Sequence, residues 1–99
     1  MPPAVFSTTS ISELESFMVE TLCNHEKLDV QQAMVKRSLN RTGSSPVGLV
    51  VRLQGPRQMR SHAIWAERES RILFYDSAGH RFAIVRLAEM PDLVSSIIV

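Results

Sequence analysis

A chain of 99 residues with a single cysteine cannot close an internal disulfide, so Cys23 fits a reducing compartment. Glycine is scarce too. All four glycines stand singly, at turns or strand starts, which excludes the glycine-rich loops that cradle phosphates or dinucleotides. No apolar run approaches the roughly 20 residues that a membrane-spanning helix requires. The opening Met1-Pro2-Pro3-Ala4-Val5-Phe6 lacks a basic segment followed by a long apolar one, so the expected location is cytoplasmic. In that setting the sequon Asn40-Arg41-Thr42 is a chance match.

Catalytic groupings are equally thin. A metal site needs clustered His, Cys, Asp or Glu ligands, whereas Cys23 and His25 have no companion pair at a recognisable spacing. Cys23 reads as a small core residue. Asp76 and His80 can meet across a turn, but that geometry more often stabilises a turn than forms a dyad. Ser77 lacks the strand-to-helix elbow that exposes a nucleophile. The expectation is a non-enzymatic protein with no catalytic residue, no metal and no cofactor.

What the chain does contain is a self-consistent antiparallel meander over residues 47–87. Asp76-Ser77-Ala78-Gly79 suits a type I turn closed by a left-handed glycine. It predicts Asp76 opposite His80, Tyr75 opposite Arg81, Phe74 opposite Phe82, Leu73 opposite Ala83 and Ile72 opposite Ile84. The turn Glu67-Arg68-Glu69-Ser70 sets Ala66 against Arg71 and Trp65 against Ile72. A third turn at Gly55-Pro56-Arg57, where proline fixes φ and donates no ladder bond, sets Leu53 against Met59 and Val51 against Ser61. All three turns gather Leu49, Val51, Leu53, Ala63, Trp65, Ile72, Phe74, Phe82 and Ile84 on one face, and a one-residue slip would destroy the match.

The opposite face carries the candidate site. Val50, His62, Tyr75 and Arg81 are expected in one row, with Arg52 and Arg60 beside it, suited to holding an anion or a partner carboxylate. Ile64, Leu73, Ala83 and Val85, rimmed by Arg60, Arg71 and Arg81, form an apolar patch. A solvated face would be more polar, so a cover is expected over part of it.

Upstream, Ser10-Ile11-Ser12-Glu13 reads as a capping box, and Ile11, Leu14, Phe17, Met18, Thr21 and Leu22 follow helical spacing. An amphipathic helix over 10–24 is expected to cover the inner face, with residues 1–9 flexible. Leu28–Arg41 admits two readings, a helix capped by Asp29 or a short helical start followed by a strand over Met34–Leu39. Thr42–Pro46 is a loop in both. Met90-Pro91-Asp92-Leu93 suits a final helical turn. Ninety-nine residues form one domain, burying about two-thirds of the unfolded surface. The fold class is α+β, an N-terminal helix on an antiparallel meander of four to five strands.

Gly55-Pro56-Arg57, Ala63-Ile64-Trp65-Ala66, Leu73-Phe74-Tyr75-Asp76 and Gly79-His80-Arg81-Phe82 resemble a pattern in a family of short, uncharacterised bacterial proteins. The likeness covers about a third of the chain and implies a bacterial source. That family has no established activity, so no residue role carries over.

The net charge of +1 conceals a segregation. Residues 1–26 hold Glu13, Glu15, Glu20 and Glu26 and no base, whereas residues 27–60 hold Lys27, Lys36, Arg37, Arg41, Arg52, Arg57 and Arg60 against Asp29 alone. Nine of the eleven bases are arginine, which favours bidentate contacts to carboxylate or phosphate. Two functions follow as expectations. The first is a protein-interaction module, pairing with itself as a homodimer or with another protein. The alternative is a nucleic-acid-binding domain using the arginine-rich face, against which stand the low net charge and the acidic helix.

Overall fold

The turns at Gly55–Met59, Glu67–Ser70 and Asp76–His80 lay successive strands side by side, and the resulting sheet is wider than four or five strands. A computed structural model describes residues 2–42 and 45–91. Its elements are β1 (Val5–Ser7), α1 (Ile11–Glu26), β2 (Met34–Thr42), β3 (Ser45–Gln54), β4 (Arg60–Ala66), β5 (Arg71–Tyr75) and β6 (Arg81–Glu89). The strands form one six-stranded sheet in the order β1-β6-β5-β4-β3-β2. Neighbours are antiparallel except β1, which runs parallel to β6. The architecture is therefore α+β with a mixed, mostly antiparallel sheet of six strands, correcting the smaller meander. The added edge strand, β1, has only three residues and so carries no readable period, and its partner sits at the far end of the chain.

Helix α1 is capped at both ends by side-chain and backbone groups. Ser10 Oγ accepts the Glu13 N–H at 3.2 Å. The second half of the expected capping box is replaced: the Ser10 N–H donates to Thr8 Oγ1 at 3.1 Å. At the other end Lys27 adopts the left-handed conformation (φ 55°), with Leu28 N–H donating to the Cys23 carbonyl at 2.9 Å and Lys27 N–H to Asn24 at 3.3 Å. This is a Schellman cap in which lysine stands where glycine is usual, so the helix runs two residues past the expected end. Asp29 then caps a single 3-10 turn, Val30–Gln32, by accepting the Gln31 N–H at 2.9 Å, and β2 follows.

The core lies between α1 and one face of the sheet. Leu14, Met18, Leu22 and Cys23 of the helix pack with Leu49, Val51, Leu53, Ala63, Trp65, Ile72, Phe74, Val85 and Leu87. Trp65 and Phe74 are fully buried. Phe6 of β1 stacks on Phe17 with ring centroids 4.0 Å apart, which ties the edge strand to the helical layer. Gly48 opposes Ala66, and a Cβ there would strike the carbonyl oxygen of Trp65. Glycine is required at that position by close approach, not by φ.

Two registers differ from expectation. Between β3 and β4 the connection holds Gly55 to Met59, closed by the Gly55 N–H on the Met59 carbonyl at 2.9 Å, so Leu53 faces Ser61 and Val51 faces Ala63. The shift is two residues, and because side chains alternate with period two every face is kept. Between β5 and β6 the hairpin starts as expected: Gly79 has φ 85°, Asp76 N–H donates to the His80 carbonyl at 2.9 Å, and Tyr75 faces Arg81. The register then slips by one, placing Phe74 opposite Ala83, Leu73 opposite Ile84 and Ile72 opposite Val85. This bulge turns both Phe82 and Ala83 to the core side. It reverses the rest of β6: Val85 and Leu87 are buried, and Ile84 is 44% exposed.

The expected turn at Met90–Leu93 falls half outside the described residues; Met90 and Pro91 are described and are not helical. The loop expected over Thr42–Pro46 is only partly described, with Thr42 ending β2 and Ser45 starting β3.

Candidate functional site

With α1 on one side, the other face of the sheet has no second layer among the described residues. Strand pairing sets its side chains in rows. Lys36, Arg52, His62, Tyr75 and Arg81 are successive cross-strand partners. One step along the strands lie Ser38, Val50, Ile64, Leu73 and Ile84. A third row holds Ala66, Arg71 and Arg86. An apolar band thus runs between two cationic rows.

Inside the first row the rings of His62 and Tyr75 stack, with centroids 4.7 Å apart and planes 11° from parallel. Arg52 donates from Nη1 to the Ser38 hydroxyl at 3.1 Å. Burial, and after it the nearby Arg52 guanidinium, hold the His62 imidazole below its usual range. Met34, Lys36, Arg52, Gln54, Arg60 and His62, together with the buried Leu53 and Ser61, line a cleft of about 400 Å³ at one corner of this face.

Of the residues singled out from sequence, Arg52, His62, Tyr75 and Arg81 come together in one row, with Arg60 next to His62 along the strand direction. Arg52, not Val50, is the direct partner of His62, because the longer β3–β4 connection shifts the pairing by two. Ile64 and Leu73 are adjacent partners. Ala83 and Val85 are not on this face: the β6 bulge points both at the core, where Val85 is fully buried. Ile84 takes their place in the apolar band. Arg71 is on the face and ion-pairs with Glu69 at 2.8 Å.

Among the face residues missed in sequence are Lys36, Ile84 and Arg86. Arg86 carried a usable signal. In the unbulged register it would have pointed under α1 into the core, where an unpaired guanidinium is not tolerated.

The other candidate groupings serve the fold. Asp76 Oδ1 accepts the N–H groups of Ala78 and His80 at 3.0 and 2.9 Å, and the His80 N–H chiefly holds its carboxyl below the usual range. The carboxylate shapes the turn and its bonds go to backbone. Cys23 is buried, and burial followed by Asp29 and Glu20 raises its thiol pKa, which opposes nucleophilic use. Among the described residues no three His, Cys, Asp or Glu side chains cluster for a metal. No described helix is long and apolar enough to cross a membrane. No protein-family model, characterised protein or solved structure matches this chain.

Proposed function

We propose that this protein is a non-enzymatic interaction module that receives a second protein on the uncovered face of its sheet. One observation carries the reading. The half-apolar band of Val50, Ile64, Leu73 and Ile84 runs between cationic rows, while Glu13, Glu15, Glu20 and Glu26 all belong to the helix layered on the opposite side. Apolar centre and arginine rim are an interface composition, and the charge selects a partner with carboxylates around its own apolar patch. A second copy fits less well. Either two-fold arrangement sets cationic rows against cationic rows, which costs affinity.

The test uses Leu73→Arg and the double charge reversal Arg52→Glu with Arg81→Glu, each checked for folding by the emission of Trp65. A partner captured by the wild-type chain and rebuilt from purified components is expected to lose binding to both. Unchanged binding to Leu73→Arg, or a salt-insensitive dimer by light scattering, would overturn the reading.

A second reading, nucleic-acid binding, gains from one observation: the acidic helix lies behind the sheet and does not screen the cationic face. Against it, His62 and Tyr75 each give one ring face to the other, which leaves little stacking platform for bases. Arginine-dependent binding of a single-stranded oligonucleotide, weakening steeply with salt, would favour it.

A further inference from the structure

We propose that the corner formed by Lys36, Arg52, Arg60 and His62 is a phosphate-binding subsite, and that its occupant is a phosphorylated side chain of the protein partner. The inference rests on the reading above that the face receives a protein.

Six of the eight residues that line the cleft form two short rows on three adjacent strands, and the buried Leu53 and Ser61 complete it. Met34, Gln54 and Arg60 are paired in one, and Lys36, Arg52 and His62 in the next. Directly opposed side chains in such rows have Cβ atoms about 4.5–5.5 Å apart, and like charges placed so are destabilising. Lys36 faces Arg52 directly, and Arg60 stands one diagonal away. No carboxylate lines the cleft, and among the described residues none lies within ion-pair distance of these three cations. Composition does not force this crowding, because the chain has ten acids and only eleven bases. Four of those acids sit on the helix behind the sheet. A fold that breaks a local rule without internal compensation does so where something else supplies it.

The missing charge is a compact dianion. A phosphate monoester carries about −1.5 to −2 at neutral pH and offers three acceptor oxygens, against a single charge for a carboxylate. Ser38 occupies one donor of Arg52, which fixes the guanidinium while leaving the rest of its fork for oxyanion contact. The cleft, about 400 Å³, has room for one phosphoryl group and its stem. Met34, 62% exposed, provides apolar rim for the rest of a side chain. A nucleic-acid strand would need a continuous cationic track, but the apolar band separates this corner from Arg71 and Arg86.

The experiment is a titration of the full ¹⁵N-labelled chain followed by amide shifts. The probes are inorganic phosphate, a blocked Ala–phosphoserine–Ala peptide, its unphosphorylated and aspartate forms, and a single-stranded oligonucleotide. Saturable shifts are expected around Lys36, Arg52, Arg60 and His62 with both phosphate probes, at least tenfold weaker with aspartate and absent with serine. Lys36→Gln and Arg60→Gln should each lower phosphopeptide affinity at least fivefold. Both should also raise the melting temperature of the ligand-free protein at low salt, since each removes a repulsion; a merely structural role would lower it. Equal binding of aspartate, shifts centred on Arg71 and Arg86, or oligonucleotide binding tighter than phosphopeptide would overturn the proposal, the last in favour of nucleic acid. Leu73→Arg separates the two readings. If it abolishes partner binding while phosphate fails to bind, the docking face stands and the subsite falls; if phosphate binds and Leu73→Arg has no effect on the partner, the subsite stands and the docking face falls.

Discussion

Glu26, in the last turn of α1, accepts both the backbone N–H of Ser77 at 3.0 Å and its hydroxyl at 3.2 Å. The end of the helix is thereby tied to the tip of the β5–β6 hairpin, 51 residues further along the chain. Glu26→Ala should leave the fold intact and free that tip. Amide exchange at Ser77–Gly79 is expected to accelerate, and the melting temperature to fall by a few degrees, as losing about 0.5–1 kcal/mol implies for a domain this size. Unaltered exchange at those amides would show that the tether is not maintained in solution.

Lys27 closes the helix in a left-handed conformation that disfavours a β-carbon. Replacing it by glycine should stabilise the protein by about 1 kcal/mol, measured by urea unfolding. Arg57, Gln58 and Ser70 are also left-handed, so Ser70→Gly should act in the same direction. A loss of stability in both variants would contradict this account of the turns.

Core packing predicts opposite outcomes at two small residues. Ser61 is buried, and its hydroxyl has no hydrogen-bond partner among the described residues, so Ser61→Ala should be neutral or stabilising by up to about 1 kcal/mol. Gly48→Ala must push the β4 backbone away and should destabilise by more than about 2 kcal/mol. Chemical denaturation with Trp65 emission as the signal reads both, since that indole is fully buried when folded.

The two depressed pKa values act in different pH windows. His62 binds its proton less readily folded than unfolded, so the unfolded chain takes up more protons below the ordinary histidine range. The contribution of His62 is complete above that range and fades as pH falls through it. For Asp76, lowered chiefly by the His80 N–H, the contribution holds above the unfolded carboxylate pKa and is lost only in stronger acid. A melting series from pH 8 to 3 should show two successive declines. His62→Gln should flatten the upper one, and Asp76→Asn the lower. Persistence of the upper decline in His62→Gln would assign it to another group.

Cys23 should resist thiol reagents in the native state, because it is buried and its thiol is shifted upward. Reaction is expected to follow opening of the core and so to speed up with added urea. Rapid labelling under native conditions would contradict its placement beneath α1.

Much of this structure was readable from local chemistry. Ser10 and the apolar spacing after it located α1, and the turns at Glu67–Ser70 and Asp76–Gly79 set pairings that hold next to them, Trp65 with Ile72 and Tyr75 with Arg81. Errors arose where the decisive contact was remote or where one residue altered parity. The bulge at Phe82 is invisible to turn chemistry but follows from burial: Val85 and Leu87 belong inside, and Arg86 between them does not. Propagating the register two residues further would have exposed that conflict and moved Ala83 and Val85 off the candidate face. Lys36 was lost because β2 has polar residues on both faces, Arg37 reaching Glu15 on the helix side and Lys36 the other, so no alternation marks it. His62, Tyr75 and Arg81 share a row as expected, while the shift of two residues puts Arg52 in it in place of Val50 and, because it preserves faces, keeps both on the same side of the sheet.

The parallel pairing of β1 with β6, Val5 beside Arg86, has a consequence for how the molecule is made. On a ribosome β1 is made before its partner β6 has been translated, and α1 follows with no sheet to cover. The antiparallel neighbours from β2 to β6 can zip as local hairpins when each is complete, but the edge waits for the last of them. The β1 edge of the sheet therefore closes only after β6 has been made, whatever the order in which the strands between them pair.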